Sequence, residues 1–128
     1  MTGYIVFAHG SSVESANQAV RAVARQAAER GGWSNYTSAF LGGGRPALPD
    51  AVTELTARGA NHIVVIPYFL TSGLHLERDL PALIAELKHS HPGLEVEVTL
   101  PLDGHPGLID ALLDRAKYSS VAPSCKPA

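Results

Sequence analysis

Short apolar runs alternate with longer amphipathic stretches along the chain, and this order constrains the fold more than any other feature of the sequence. The apolar runs predict strands at Tyr4–His9, Tyr36–Leu41, His62–Leu70 and Glu95–Leu100. The amphipathic stretches predict helices near Glu14–Arg30, Pro46–Arg58, Glu77–His89 and Pro106–Lys117. Strands that alternate with helices are typical of β-α units on a parallel sheet.

The starts of the helices carry their own signals. Ser11 and Glu14 have the spacing of a capping box, in which each side chain satisfies a backbone N–H at the start of a helix. Pro46 and Pro106 fall where the first turn of a helix accepts proline, because the N–H that proline lacks would be unpaired there in any case. We therefore expect helices to open near these positions.

The polarity of the strands predicts their order in the sheet. The first and third runs are almost continuously apolar, as expected for strands that are covered on both faces. The second and fourth runs carry polar groups, and Glu95 to Val98 alternates, which favours edge positions. With right-handed crossovers, this gives a four-stranded parallel sheet of order 2-1-3-4 in one three-layer, flavodoxin-like α/β domain.

Length and composition exclude several classes of protein. A chain of 128 residues suits one domain, which we place at residues 1–118, followed by a flexible tail at 119–128 that contains the single cysteine, Cys125. A net charge of −2 gives no reason to expect nucleic acid as a partner. No apolar run approaches a membrane span and no signal peptide is evident, so we expect a cytoplasmic protein with no membrane partner.

Two histidines follow the strands that are predicted to be central. His9 ends the first strand, and His75 follows the third strand after Thr71-Ser72-Gly73-Leu74. In the predicted order these strands are neighbours at a topological switch point, where open α/β sheets bind ligands beyond the carboxyl ends of the strands. A neutral imidazole binds Co²⁺, Ni²⁺, Fe²⁺ or Zn²⁺ and can also act as a general base. The alternative for each histidine is a structural role, capping a helix or bonding a backbone carbonyl.

The sequence resembles the CbiX and related sirohydrochlorin chelatases. The opening Tyr-Ile-Val-Phe-Ala-His9-Gly-Ser is similar to theirs, and Pro67-Tyr-Phe-Leu-Thr-Ser-Gly-Leu-His75-Leu-Glu-Arg-Asp79-Leu-Pro81 resembles their second histidine motif. Ala39-Phe-Leu with Pro46 and Pro49, and Pro101-Leu-Asp-Gly-His105-Pro106, resemble their remaining motifs. The likeness covers roughly residues 4–116, and the short length resembles the single-unit members of the family.

This resemblance implies an enzyme that inserts a divalent metal into sirohydrochlorin or a related tetrapyrrole, for cobalamin-type or sirohaem-type cofactors. The metal is a substrate, Co²⁺ first and Fe²⁺ or Ni²⁺ as alternatives, and no organic cofactor is implied. His9 and His75 become the metal ligands and proton acceptors, and the protein becomes a homodimer. Because the substrate carries carboxylates, Arg45 is a candidate to pair with one of them, with a solvated loop charge as the alternative. Further candidates for substrate binding are Gly10, Ser11, Gly43, Gly44, Ser72, Gly73 and His105.

One departure from the family pattern concerns Gly42. Many members have an acidic residue here, directly after the Phe-Leu that ends the second strand, and that residue acts with the two histidines. The glycine leaves three readings open: an enzyme with an altered triad, a different tetrapyrrole, or a carrier that binds metal or tetrapyrrole without turnover. A serine hydrolase and a nucleotide-binding domain are disfavoured, because the first turn lacks both Gly-x-Ser-x-Gly and the glycine-rich phosphate motifs.

Overall fold

A computed structural model describes residues 1–70, 74–118 and 121, and for 74–77 it describes the backbone alone. The strands are β1 Thr2–Ala8, β2 Tyr36–Phe40, β3 His62–Tyr68 and β4 Glu95–Val98. The helices are α1 Glu14–Gly31, α2 Leu48–Ala57, α3 Leu74–Ser90 and α4 Pro106–Ala116. The predicted elements are all present, with ends that differ by a few residues. Within the described part of the chain, no helix is both long and apolar enough to cross a lipid bilayer.

The four strands form one parallel sheet in the order β2-β1-β3-β4, which confirms the predicted order. In β1, Ala8 lies beside Phe40 of β2 on one side and beside Tyr68 of β3 on the other. The carboxyl ends of the three strands therefore lie side by side, and the switch point falls directly after Ala8. The residues that follow these strands form the edge where the site was expected.

The hydrophobic core lies on the face of the sheet that α2 and α3 cover. Ile5 and Phe7 of β1 contribute to it with Ile63 and Val65 of β3, and all four are almost completely buried. The same cluster includes Leu48 and Leu55 from α2 and Leu87 from α3. Helix α1 packs on β1 and β2, on the opposite face, as right-handed crossovers require. The result is the predicted three-layer arrangement.

One predicted helix cap and one predicted helix start are wrong. Helix α1 begins at Glu14, but Ser11 and Glu14 do not form a capping box, because the Ser11 N–H donates to Asn17 and Glu14 pairs with Arg21. Helix α2 begins at Leu48 rather than at Pro46. The Pro46 carbonyl accepts a hydrogen bond from the Phe40 N–H at 2.9 Å, which holds this segment extended beside β2.

Helix α4 turns an apolar face towards solvent. Ile109, Leu112 and Leu113 have helical spacing and are 61%, 72% and 60% exposed, and no residue of the helix is buried. A surface helix normally packs such a stripe against the core of its own domain. Leu100, which precedes the helix, and Tyr118, which follows it, are similarly exposed. This apolar face of α4 has no cover within the described chain.

Candidate functional site

His9 lies at the carboxyl end of β1, exposed to solvent but supported from below by the core. Its ring packs edge-on against Phe69, with the ring centroids 5.1 Å apart and an interplanar angle of 75°. Phe69 is 6% exposed and packs in turn against Phe7, with the centroids 5.9 Å apart. Phe69 thus belongs to the core, and its contact with His9 was not predicted from the sequence. An aromatic support restricts the imidazole while leaving it accessible to a ligand.

The loops that follow β1 and β2 are joined through their backbones. The Gly42 N–H donates to the His9 carbonyl at 2.9 Å, and the Leu41 N–H donates to the Ala8 carbonyl at the same distance. Gly10 has φ +86°, and a Cβ there would lie 1.8 Å from the Gly42 carbonyl oxygen. Only glycine fits at position 10, because both the positive φ and the close approach exclude a side chain. The backbone alone therefore requires glycine at position 10, independently of any substrate.

A buried asparagine on α1 holds the same two loops together. Asn17 is 1% exposed, and its Oδ1 accepts the Ser11 N–H at 2.9 Å. Its Nδ2 donates to the Ser11 carbonyl at 2.9 Å and to the Gly43 carbonyl at 3.1 Å. Asn17 was not predicted from the sequence, although it shares the buried face of α1 with Ala24 and Ala28, and a polar residue on such a face was a usable signal. Buried polar side chains are usually fully bonded, so this residue fixes the geometry beside His9.

Position 42 has room for the side chain that it lacks. A Cβ built on Gly42 would meet no atom within 4 Å, and Gly42 is absent from the glycines with positive φ. Its N–H bonds the His9 carbonyl, so a side chain there would start on the loop that is bonded to His9, and a long one would be needed to reach the imidazole. The glycine at position 42 therefore leaves out the acidic side chain of the family pattern, although the backbone there does not require glycine.

Arg45 lines a cavity of about 740 Å³ at the end of β2, together with Gly42 and Gly44. Its carbonyl accepts a hydrogen bond from the guanidinium of Arg21 at 3.0 Å, and that guanidinium also pairs with Glu14 at 2.6 Å. The hydrogen bond from Arg21 is the main cause that lowers the pKa of the exposed Glu14 carboxyl. The Arg45 side chain itself has no ion pair within the described residues, which leaves it available to an anionic ligand.

Three exposed apolar residues surround the same edge of the sheet and were not among the predicted site residues. Val13 opens α1, Leu41 follows β2 and Leu70 follows β3, and they are 58%, 47% and 66% exposed. Single exposed apolar residues are ordinary on a protein surface. All three lie next to strand ends or the first helix at the carboxyl edge of the sheet, as His9 does, and together they form an apolar rim suited to a flat hydrophobic ligand.

The remaining predicted site residues have separate outcomes. His75 lies in the first turn of α3, five residues after Leu70, but its side chain is outside the described part. Ser72 and Gly73 lie outside the described residues altogether. His105 caps α4, with its Nδ1 accepting the Gly107 N–H at 2.8 Å, which favours the turn-forming role. Among the side chains that the structure describes, no group of three His, Cys, Asp or Glu could hold a metal ion.

Comparisons with known proteins agree on one family. The CbiX family model matches residues 3–119. A sirohydrochlorin cobaltochelatase from Methanothermobacter thermautotrophicus is 28% identical over 133 aligned residues, covering 90% of this chain and 90% of that protein. The chloroplastic sirohydrochlorin ferrochelatase of Arabidopsis thaliana is 29% identical over 116 residues, which cover 91% of this chain but 52% of the plant protein. The chain therefore spans about half of the plant relative's length.

A solved structure shows the same fold. The crystal structure of the CbiX protein from Marinobacter aquaeolei superimposes with a TM-score of 0.80 at 29% identity. The match covers 91% of this chain and 95% of that one. Similar length, element order and sheet thus accompany the sequence likeness.

Proposed function

The chain belongs to the CbiX family, and from this premise we propose that it inserts a divalent metal ion into sirohydrochlorin or a closely related tetrapyrrole. The two relatives named as sirohydrochlorin chelatases, which align with about nine-tenths of the chain, support this substrate. The observation that carries the proposal is His9, held exposed at the switch point with its ring against Phe69. Metal insertion needs such an accessible nitrogen, because the pyrrole nitrogens lose their protons as the metal enters.

We assign metal binding and proton acceptance to His9 and His75 together. A closed four-ligand site would retain the ion, whereas a site with open positions can pass it to the ring. Two imidazoles form such a site, and Gly42 adds no third donor beside His9. Helix α3 begins one residue before His75, on the connection that leaves the strand next to β1. The topology therefore supports the pairing of these two histidines.

The apolar rim is suited to the face of the macrocycle, and nearby polar groups to its carboxylates. Val13, Leu41 and Leu70 offer exposed apolar surface around the crevice. Arg45 can bind a carboxylate bidentately, and the N–H groups of Gly43 and Gly44 make no hydrogen bond to the described chain. The Ser11 N–H is taken by Asn17 and its Oγ accepts the Val13 N–H, so its hydroxyl hydrogen is the donor that Ser11 can offer a carboxylate.

The metal preference follows the names of the relatives. One is a cobaltochelatase and the other a ferrochelatase, so Co²⁺ and Fe²⁺ are the first candidates, with Ni²⁺ as the third. Imidazole binds all of these ions, and affinity order alone does not select among them. A cytoplasmic location stays a prediction from the sequence, since the plant relative is named as chloroplastic.

We further propose that the protein acts as a homodimer in which the apolar face of α4 is covered by a second copy. Each exposed leucine, isoleucine or tyrosine on this face offers roughly 100 Å² of apolar surface, the area that corresponds to the usual free energy of burying one such side chain. Twofold symmetry doubles every contact. Five such side chains on each of two copies bury roughly 1,000 Å², close to the lower end of the range of about 1,200–2,000 Å² typical of stable interfaces, before their polar neighbours are counted.

The proposed reaction is tested by anaerobic absorbance spectroscopy of sirohydrochlorin with Co²⁺ or Fe²⁺, with and without protein. We expect His9→Ala and His75→Ala each to lower the insertion rate by at least about a hundredfold, the contribution of a positioned acid-base group. His89→Ala is the matched control, because His89 is exposed on α3, the helix that carries His75.

Two outcomes would contradict the assignment. Near-normal insertion by the His9 variant would remove that residue from the reaction. Stoichiometric binding of metal or sirohydrochlorin, without any acceleration of insertion, would instead identify a carrier with the same fold.

A further inference from the structure

A second cavity lies between α1 and the outer edge of β2, next to the cavity beside Arg45. It is an open groove of about 630 Å³, and three arginines line it: Arg21, Arg25 and Arg58. None of them was singled out by the sequence analysis, and the proposed insertion reaction uses none of this groove. Its volume is within the range of small-molecule sites.

The three guanidinium groups are spread along the length of the groove. Arg21 bonds the Arg45 carbonyl, near the carboxyl end of β2. Arg58 reaches the carbonyl of Tyr36 at 3.5 Å, at the beginning of the same strand. Arg25 lies one helical turn after Arg21 on α1, and positions four apart share a face of a helix. It therefore lies between the other two.

The charges of the groove are only partly neutralised. Arg21 pairs with Glu14 and Arg58 with Glu54, each at 2.6 Å and each partly exposed. Exposed ion pairs contribute little, about 0–1 kcal/mol, so a bound anion can exchange with them at small cost. Arg25 has no ion pair within the described residues, which gives the groove one uncompensated positive charge.

A buried hydroxyl faces the same space. Ser38 lines the groove and is 5% exposed, and its Oγ makes no hydrogen bond to the described residues. Within the described chain, Asn35 Oδ1 is the one side-chain atom that is both fully enclosed and without a partner. Ser38 Oγ also has no partner in that part of the chain, so it cannot be fully enclosed and must be open to the groove. Ser38 pairs with Val6 of β1. Since Ile5 and Phe7 point to the core face, Val6 and Ser38 point to the opposite face, where α1 and Arg25 lie. A nearly buried polar group without a partner marks a place for a ligand atom.

We propose that this groove binds a small anion that carries two or more carboxylate or phosphate groups. The guanidinium fork of Arg25 matches either group bidentately, and Arg21 or Arg58 takes the next group along the groove. Ser38 Oγ donates to an oxygen of the anion that reaches the floor. The groove shares Pro46 with the cavity beside Arg45 but is not lined by His9, Gly42 or Arg45, and the proposal does not depend on the insertion reaction.

Isothermal titration calorimetry of the metal-free protein with pyrophosphate, and separately with citrate, tests the proposal and distinguishes the two chemistries. We expect one of them to bind, Arg25→Gln to weaken that binding about tenfold or more, and Ser38→Ala to weaken it by a smaller factor of about five. Arg30→Gln is the matched control, because it removes the same charge from the last turn of α1 without lining the groove.

The proposal fails if neither anion binds, or if Arg25→Gln and Arg30→Gln weaken binding equally, because the effect would then be one of net charge. It also fails as a separate site if Arg25→Gln weakens binding of metal-free sirohydrochlorin to the same extent as binding of the small anion. Circular dichroism of each variant verifies that the fold is retained.

Discussion

The Asn17 side-chain amide adds side-chain hydrogen bonds to two loops that are otherwise joined through backbone contacts. The positions around it allow no larger residues: a Cβ on Gly44 would lie 2.9 Å from Asn17 Nδ2, and one on Gly43 would lie 2.8 Å from the Ser11 backbone. Close backbone packing of this kind is stable only when the buried donors and acceptors are paired. Asn17 pairs them, and so holds the backbone next to His9 in place.

Replacing Asn17 with alanine should destabilise the protein by about 2–3 kcal/mol, because the Ser11 and Gly43 groups would lose their buried partner. Urea denaturation measures the change. Gln18→Ala serves as the control, since Gln18 is the exposed neighbour on the same helix. Equal stability of the two variants would show that water replaces the amide at no cost.

Gly42 is the residue at which the chain departs from its family's pattern, and the structure allows that departure to be reversed. Gly42→Glu should raise the metal-insertion rate by about tenfold or more, because a carboxylate beside His9 can accept a proton or bind the metal. The side chain fits, since no atom lies within 4 Å of the added Cβ.

Gly42→Gln supplies the same size without the charge and separates chemistry from packing. The insertion assay with sirohydrochlorin measures both variants. If glutamate and glutamine give the same rate as the original chain, another residue has taken over the role of the missing acid.

At the scale of elements, the helix starts show where sequence patterns stop being informative. Pro46 predicts the first turn of a helix, but α2 begins two residues later because the Pro46 carbonyl is bonded to Phe40 on β2. The capping box at Ser11 fails for a similar reason, since Asn17 takes the Ser11 N–H. Local motifs describe what a short segment can do alone, and in both cases a contact from outside the segment decided the outcome.

Helix α4 carries the prediction that belongs to this scale. Leu112→Glu should convert a dimer to a monomer without unfolding it, because Leu112 is 72% exposed and glutamate is a good helix former. Ala111→Glu is the matched control, with the same new charge on an exposed neighbour that lies off the apolar face.

Sedimentation velocity reports the mass of each variant. Protein at tens of micromolar, on the order of ten times a micromolar Kd, keeps an interface of moderate affinity mostly dimeric. A monomeric original chain, or a Leu112 variant that keeps the mass of a dimer, would contradict the covering of α4 by a second copy.

At the scale of the whole molecule, the sequence predicted the sheet and its switch point because burial leaves a strong mark on composition. The continuous apolar character of β1 and β3 distinguished central strands from edges, and the order 2-1-3-4 followed. The edge-on support of His9 by Phe69 and the hold of Asn17 on two loops could not be predicted in this way. Both depend on side chains from segments far apart in the chain, whose approach no periodicity records.

The vacant space at Gly42 has a consequence for ion choice. Because the backbone there is already fixed and nothing occupies the volume beside it, different donors could be introduced without repacking the domain. Carboxylate, imidazole and thiolate differ in softness, and softness governs which transition metals a ligand set favours. We therefore expect the side chain at position 42 to influence which transition metal the proposed site favours, with the protein around it unchanged.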